Sequence, residues 1–119
     1  KIIIQLLSEP FLGGGSIFFY FCFQRWILPI LSDFNNELID TYSAIKNDPD
    51  GVIFTFREIC KYCGRYYRIR ALRPETLIEA AARFIYLNQT SFNGIYRVNT
   101  KGEYNVPYGI RTKEFYWSR

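Results

Sequence analysis

One short stretch constrains this chain more than any other: Glu9-Pro10-Phe11-Leu12-Gly13-Gly14-Gly15. It follows an apolar, β-branched run over Ile2–Leu7, which predicts a buried strand. Pro10 and the three glycines stop that strand, and Ser16 is placed to cap a helix over about Ile17 to Gln24. Ile27–Leu31 reads as a second short strand, with Pro29 its least sheet-like residue. Asp33 or Asn35 then caps an amphipathic helix from Glu37 to Lys46, whose Leu38, Ile39, Tyr42 and Ile45 share one face. Strand, glycine turn, helix, strand, helix is the opening of an open α/β sheet.

The pattern changes further on. A helix is expected from Asp50 to Tyr62, and Thr76-Leu77-Ile78-Glu79 is a capping box that opens another, through Ala80-Ala81-Ala82 to about Asn88. From Gly94 the residues become aromatic and β-branched, split by Lys101-Gly102. That predicts a hairpin with strands near Tyr96–Asn99 and Tyr104–Val106. This part breaks the α/β alternation and reads as an inserted subdomain. The expected division is an α/β unit over residues 1–50 and a helical and hairpin unit over residues 51–119.

Charge divides the chain in nearly the same place. Residues 1–56 carry three basic and six acidic groups, a net −3, and residues 57–119 carry twelve basic and five acidic groups, a net +7. Ten of the fifteen basic residues are arginine, whose fork matches phosphate oxygens and guanine edges. A polyanion partner on one side of the molecule and a merely solvated basic surface both fit this asymmetry.

With 119 residues, 49% of them hydrophobic and 22% charged, the chain is of single-domain size, and disorder or collagen-like structure is excluded. It contains no methionine and opens abruptly on Lys1, so the expectation is a processed chain or an interior piece of a longer one. The apolar stretch 11–31 is interrupted by Gly13–Ser16, Gln24-Arg25 and Pro29, so a buried helix and strand are expected rather than a membrane span. Cys60-Lys61-Tyr62-Cys63 has C-x-x-C spacing, but there is no histidine and no second pair. Neither a structural metal site nor a redox motif is expected, and Cys22, Cys60 and Cys63 fit reduced thiols in a cytoplasm.

The glycine stretch fits E-x-x-x-G-x-G, a turn without side chains at a strand's carboxyl end that lets a ligand lie against backbone. Asp33 follows Gly13 by twenty residues, where an acidic group can accept from both hydroxyls of a ribose. A nicotinamide cofactor fits poorly, because Phe18 replaces the third glycine of G-x-G-x-x-G and Glu9 is a bad neighbour for a pyrophosphate. S-adenosylmethionine, which has an ammonium, a ribose and no phosphate, suits Glu9 and Asp33. A glycine turn with no ligand stays open as an alternative.

Glu9 through Ser16 is similar to the cofactor motif of Dam-type DNA adenine methyltransferases. Ser32-Asp33-Phe34-Asn35-Asn36-Glu37-Leu38-Ile39 resembles that family's acidic second-strand motif. Arg83-Phe84-Ile85-Tyr86-Leu87-Asn88, then Phe92 through Asn99, then Lys101 through Gly109 resemble its DNA-recognition segment, in the family's order. The resemblance implies a partial class I, Rossmann-like methyltransferase fold with an inserted helical and β-hairpin target-recognition subdomain. It implies S-adenosylmethionine as cofactor, touched by Glu9, Pro10, Phe11, Gly13, Gly15 and Asp33, and double-stranded DNA as partner. Phe92 would insert into the base stack, Asn93 would contact DNA, Arg97 would read a guanine, and Ile95 and Pro107 would supply apolar contacts. Core packing is the alternative for Phe92 and Ile95, and a surface ion pair for Arg97. A cognate restriction endonuclease in the same system is compatible, with no direct contact implied.

The family's catalytic D-P-P-Y tetrapeptide does not occur in the chain, and its opening glycine-lysine motif is not found before Glu9. No catalytic residue is therefore assigned. The expectation is a fragment of an adenine-specific DNA methyltransferase, inactive in isolation. The alternatives are a non-catalytic DNA-binding or regulatory module and a nicotinamide-dependent oxidoreductase.

Overall fold

The computed structural model describes residues 5–23, 27–61 and 65–110. The first strand, β1 (Gln5–Glu9), runs parallel to β2 (Ile27–Leu31), in a register that sets Gln5 against Ile27 and Glu9 against Leu31. Between them lies α1 (Ser16–Cys22). Pro29 pairs with Leu7 inside this two-stranded sheet. A proline has no N–H to donate, so β2 can only be tolerated where one donor is not needed. The predicted start of the first strand (Ile2 to Ile4), the far end of the first helix (Gln24) and Tyr62 lie outside the described residues.

The helix after the glycine turn starts differently from the sequence expectation. Ser16 is its first residue and not its cap; Gly15 holds the cap position in a left-handed conformation, and no side chain bonds the helix end. Its seven residues are too few to bury an apolar face, and none of them is buried.

Three longer helices make the core. Asn35 caps α2 (Asn36–Asn47), its side chain accepting from the Leu38 N–H. Next come α3 (Pro49–Lys61) and the short α4 (Tyr66–Ala71). Then α5 (Leu77–Thr90) opens on the expected capping box: Thr76 Oγ1 accepts from the Glu79 N–H, and the Glu79 carboxylate accepts from the Thr76 N–H. Alanine is the best helix former and the smallest helical side chain, so Ala81 and Ala82 let neighbours approach α5 closely. Ala44 of α2 and Val52 of α3 fill that space with Ala81. A second cluster joins Phe56, Tyr66, Ile69, Ala82, Tyr86 and Leu87 to Tyr104 and Val106 of the final loop. Thus α5 is packed by α2 on one side and by α3, α4 and the loop on others.

The expected hairpin is a loop held at single points. The turn forms where Lys101-Gly102 predicted it, with Asn99 N–H donating to Glu103 O and the Asn99 side chain accepting from Lys101 and Glu103 N–H. Beyond it only isolated bridges occur, Val98 with Tyr104 and Ser91 with Tyr108. Side chains take carbonyls that a ladder would have used. Tyr104 donates to Ile95 O, Tyr66 and Arg70 both donate to Val106 O, and Arg97 donates to Asn105 O. Burial raises the Tyr66 hydroxyl to about 12, so it stays protonated as a donor.

Candidate functional site: a glycine turn and an exposed recognition loop

The glycine turn is closed by the end of β2. Leu12 N–H donates to Ser32 O and Ser32 N–H to Glu9 O, so the two strand ends stay paired through the turn. Asp33 does the rest: one carboxylate oxygen accepts from Gly13 N–H at 3.0 Å and the other from Asn35 N–H at 2.9 Å. These bonds, Asn35's first and Gly13's second, hold the Asp33 carboxyl below the usual carboxylate range. They also explain why Asn35, and not Asp33, caps α2. Asp33 is committed to the turn, yet each oxygen keeps a further lone pair for a ribose hydroxyl.

Glu9 is buried at the end of β1, and its Oε2 has no hydrogen-bond partner among the described residues. A buried carboxylate oxygen without a hydrogen-bond partner is costly, and a cationic ligand group is one way to relieve it. The two carboxylates suit an ammonium at Glu9 and hydroxyls at Asp33, with open backbone at Gly13, where an added Cβ would meet nothing. The residues present therefore fit S-adenosylmethionine. The Pro10 carbonyl accepts from the Ser32 hydroxyl at 3.5 Å, and Phe11 is largely exposed beside the turn.

Tyr42 was not singled out for this site from the sequence. Its hydroxyl donates to Gly13 O at 3.1 Å, twenty-nine residues away. Burial, then the negative charges of Glu9 and Asp33, raise its pKa, which keeps the donor proton in place. Its place on the apolar face of the predicted helix was the only available signal.

The second cluster lies after α5. A short 3-10 turn (Phe92–Gly94) exposes Phe92, and Phe92 N–H donates to Pro107 O at 2.9 Å, which brings those two residues together. Asn93 sits at φ +53, the one non-glycine residue with positive φ among those described, a conformation asparagine tolerates better than most. Gly109 N–H donates to Thr90 O, and a Cβ at Gly109 would lie 2.7 Å from Ser91 O, so the two arms of the loop close only over a glycine. Phe92 is 51% and Ile95 46% exposed, so neither is a core residue, the alternative that the sequence left open. Arg97 is exposed too. Its Nε donates to Asn105 Oδ1 at 2.8 Å and its Nη2 to Asn105 O at 3.3 Å, while Nη1 has no partner among the described residues. Among the described residues Arg97 makes no ion pair, and its Nη1 is left for another acceptor. Asn105, which presents Arg97 in this way, was also missed.

Two further features belong to the surroundings. A groove of about 640 Å³ between α3, α4 and α5 is lined by Arg65, Arg68, Arg73 and Arg83, but also by Glu58, Glu75 and Glu79, so its net charge is small. Tyr96 is raised to about 12, first by burial and then by Glu37 of α2, so α2 reaches the loop after α5 as well as the glycine turn. Among the described residues no cluster of three metal-ligating side chains occurs, and no helix is long and apolar enough to cross a membrane. Cys60 is half-buried in α3, and Cys63 lies outside the described residues.

A family model described as D12 class N6 adenine-specific DNA methyltransferase matches residues 4–119. The chain belongs to that family. It is 38% identical to a type II methyltransferase, M.MjaIII, of Methanocaldococcus jannaschii, over 89% of this chain and 42% of that protein. It is also 38% identical to a type II methyltransferase of Lactococcus lactis subsp. cremoris, over 85% of this chain and 37% of the relative. To the DNA adenine methylase of Escherichia coli it is 33% identical, over 94% of this chain and 41% of the relative. The chain thus spans about two-fifths of the length of these relatives. The fold is the mixed α/β kind that part of a methyltransferase domain would have: a two-stranded parallel sheet with helices.

Asp33 gives a prediction that does not depend on any ligand. Its lowered pKa means that the charged form is the one the fold favours. That stabilisation is fully present above the ordinary value of 3.8 and is lost as pH falls through the lower folded value. Asp33→Asn removes one acceptor and this titration together. Denaturant unfolding over roughly pH 2 to 6 should show the wild type more stable at the upper end, with the difference shrinking below about pH 4. A difference constant across that range would mean that the Asp33 charge does not matter.

Proposed function

We propose that this chain carries part of the S-adenosylmethionine site and most of the DNA-recognition segment of a methyltransferase acting on the exocyclic amine of adenine in duplex DNA. The observation that carries the reading is the buried Glu9 carboxylate, whose Oε2 has no hydrogen-bond partner among the described residues, beside a glycine turn that Asp33 holds open. When bound, the cofactor supplies an electrophilic methyl group on its sulfonium. Glu9 would hold the ammonium and Asp33 the ribose hydroxyls, while Gly13 would let the ligand approach backbone and Gly15 would keep the shape of the turn on which it lies, with Pro10 and Phe11 alongside. On the other side, Phe92 would fill the gap left by an adenine rotated out of the helix, since its face stacks on any base. Asn93 would contact DNA, Arg97 a guanine edge, and Ile95 and Pro107 would add apolar contacts.

Functionally the chain would divide into a cofactor unit over 1–50 and a recognition unit over 51–119, within a Rossmann-like domain whose recognition part is an insertion. The names of the type II relatives favour a cognate restriction endonuclease in the same system.

Three measurements on the purified chain test this. Calorimetry should give heat with S-adenosylhomocysteine and none with NAD at about 1 mM. Affinity for duplex DNA should fall as salt rises, as phosphate contacts require. Radiolabelled methyl transfer to DNA by the chain alone should be undetectable, because no residue in it is assigned to hold the adenine amine. Heat with NAD alone would sink the cofactor assignment. Methyl transfer by the chain would sink the claim that it lacks the adenine-handling groups.

A further inference from the structure

Three parts of the structure touch the glycine turn: the end of β2 through Ser32 and Asp33, α1 through Phe19, and α2 through Tyr42. The last stands out because it comes from a helix packed on α5, the helix around which both core clusters form. Tyr42 reaches the turn at two places. Its hydroxyl donates to Gly13 O at 3.1 Å. The same hydroxyl would lie 2.9 Å from a Cβ at Gly15, so it also rests against that glycine. Its ring neighbours Phe19, with centroids 6.5 Å apart.

Gly13 is thus held at both of its backbone polar groups, the N–H by Asp33 and the carbonyl by Tyr42. Gly13 and Gly15 both have positive φ, a conformation glycine adopts freely but does not keep by itself. A flexible turn with two pins loses less freedom when a ligand settles on it. We propose that Tyr42 is a positioning residue for the cofactor turn, holding the Gly13 carbonyl so that the turn keeps its bound shape before the ligand arrives. This rests on the reading of the turn as the S-adenosylmethionine site. Tyr42 touches no reacting atom in it.

The test uses the full 119-residue chain, wild type and Tyr42→Phe. Phenylalanine keeps the ring and its packing and removes only the hydroxyl. S-adenosylhomocysteine is titrated by calorimetry, and the Gly13 and Gly15 amide resonances are recorded without ligand. The phenylalanine variant should bind about fivefold more weakly, the worth of one net hydrogen bond. Its Gly13 and Gly15 resonances should move and its melting midpoint should stay near wild type. A tyrosine that only packs would leave affinity and both resonances unchanged on loss of the hydroxyl, and that result overturns the proposal. If wild type itself gives no heat at about 1 mM ligand, the cofactor reading of the turn fails, and the positioning role fails with it.

Discussion

Gly15→Ala is expected to weaken S-adenosylhomocysteine binding by at least about thirtyfold, while Gly14→Ala leaves it within about twofold. The two glycines are adjacent, and composition does not tell them apart. The structure does. Gly15 sits at φ +71, and a Cβ there would lie 2.9 Å from the Phe19 ring and 2.9 Å from the Tyr42 hydroxyl. The left-handed conformation costs a residue with a Cβ about 1–2 kcal/mol. The overlap adds to it, because overfilling a packed site costs roughly 1–3 kcal/mol. Relief would come from moving Tyr42 off Gly13, which opens the turn itself. Gly14 does not have positive φ and faces open space. Gly13→Ala should fall between them, since it has φ +50 but meets nothing. Calorimetry and melting midpoints of the three variants give the order directly. Equal losses at Gly14 and Gly15 would mean that the turn binds its ligand through the absence of side chains alone, and not through its shape.

That ordering shows where the sequence stopped being informative. Local rules placed the elements well. The Thr76 to Glu79 box, the alternation of strand and helix before residue 50, and the turn at Lys101-Gly102 all depend on residues within four positions of each other. Choices between near neighbours were decided from further away. Both Asp33 and Asn35 can cap α2, and the outcome followed from Gly13, which takes the Asp33 carboxylate. Ser16 has a cap's chemistry, but the positive φ of Gly15 starts the helix one residue early. The hairpin pairing stays at an isolated bridge, and Tyr66, Arg70 and Tyr104 bond loop carbonyls, two of them across more than thirty residues. The short α4 carries no cap side chain and no periodic signal long enough to read. For the candidate site the same division holds. Glu9, the glycines and Asp33 form a spacing, and spacing is visible in a sequence. Tyr42 acts by reaching across the fold and Asn105 by reaching across its loop to Arg97, and beyond Tyr42's place on the apolar face of its helix nothing local marks either role.

Asn105 bears on the second large effect, at Arg97. Substitution of Arg97 by alanine is expected to cost about 1–3 kcal/mol of discrimination at a single G·C pair and little of the affinity for DNA in general. An arginine on a mobile stem reads poorly, because fixing its rotamers on binding offsets part of the gain. Here the stem is already fixed. Asn105 accepts from Nε and Nη2 through its side chain and carbonyl, and Asn105 N–H donates to the Arg97 carbonyl at 3.1 Å. One edge of the guanidinium is occupied by Asn105, which leaves the Nη1–Nη2 end of this exposed side chain for a fork onto guanine O6 and N7. Selection from randomised duplexes, with the bound fraction sequenced, checks this: one position should lose its preference in Arg97→Ala, with the slope of affinity against salt unchanged. Asn105→Ala should blur the same position to a smaller degree, since the arginine remains but is no longer held. If both variants instead lose affinity equally on every sequence, and the salt slope falls by about one, Arg97 contacts a phosphate, and the loop orients the DNA without reading it.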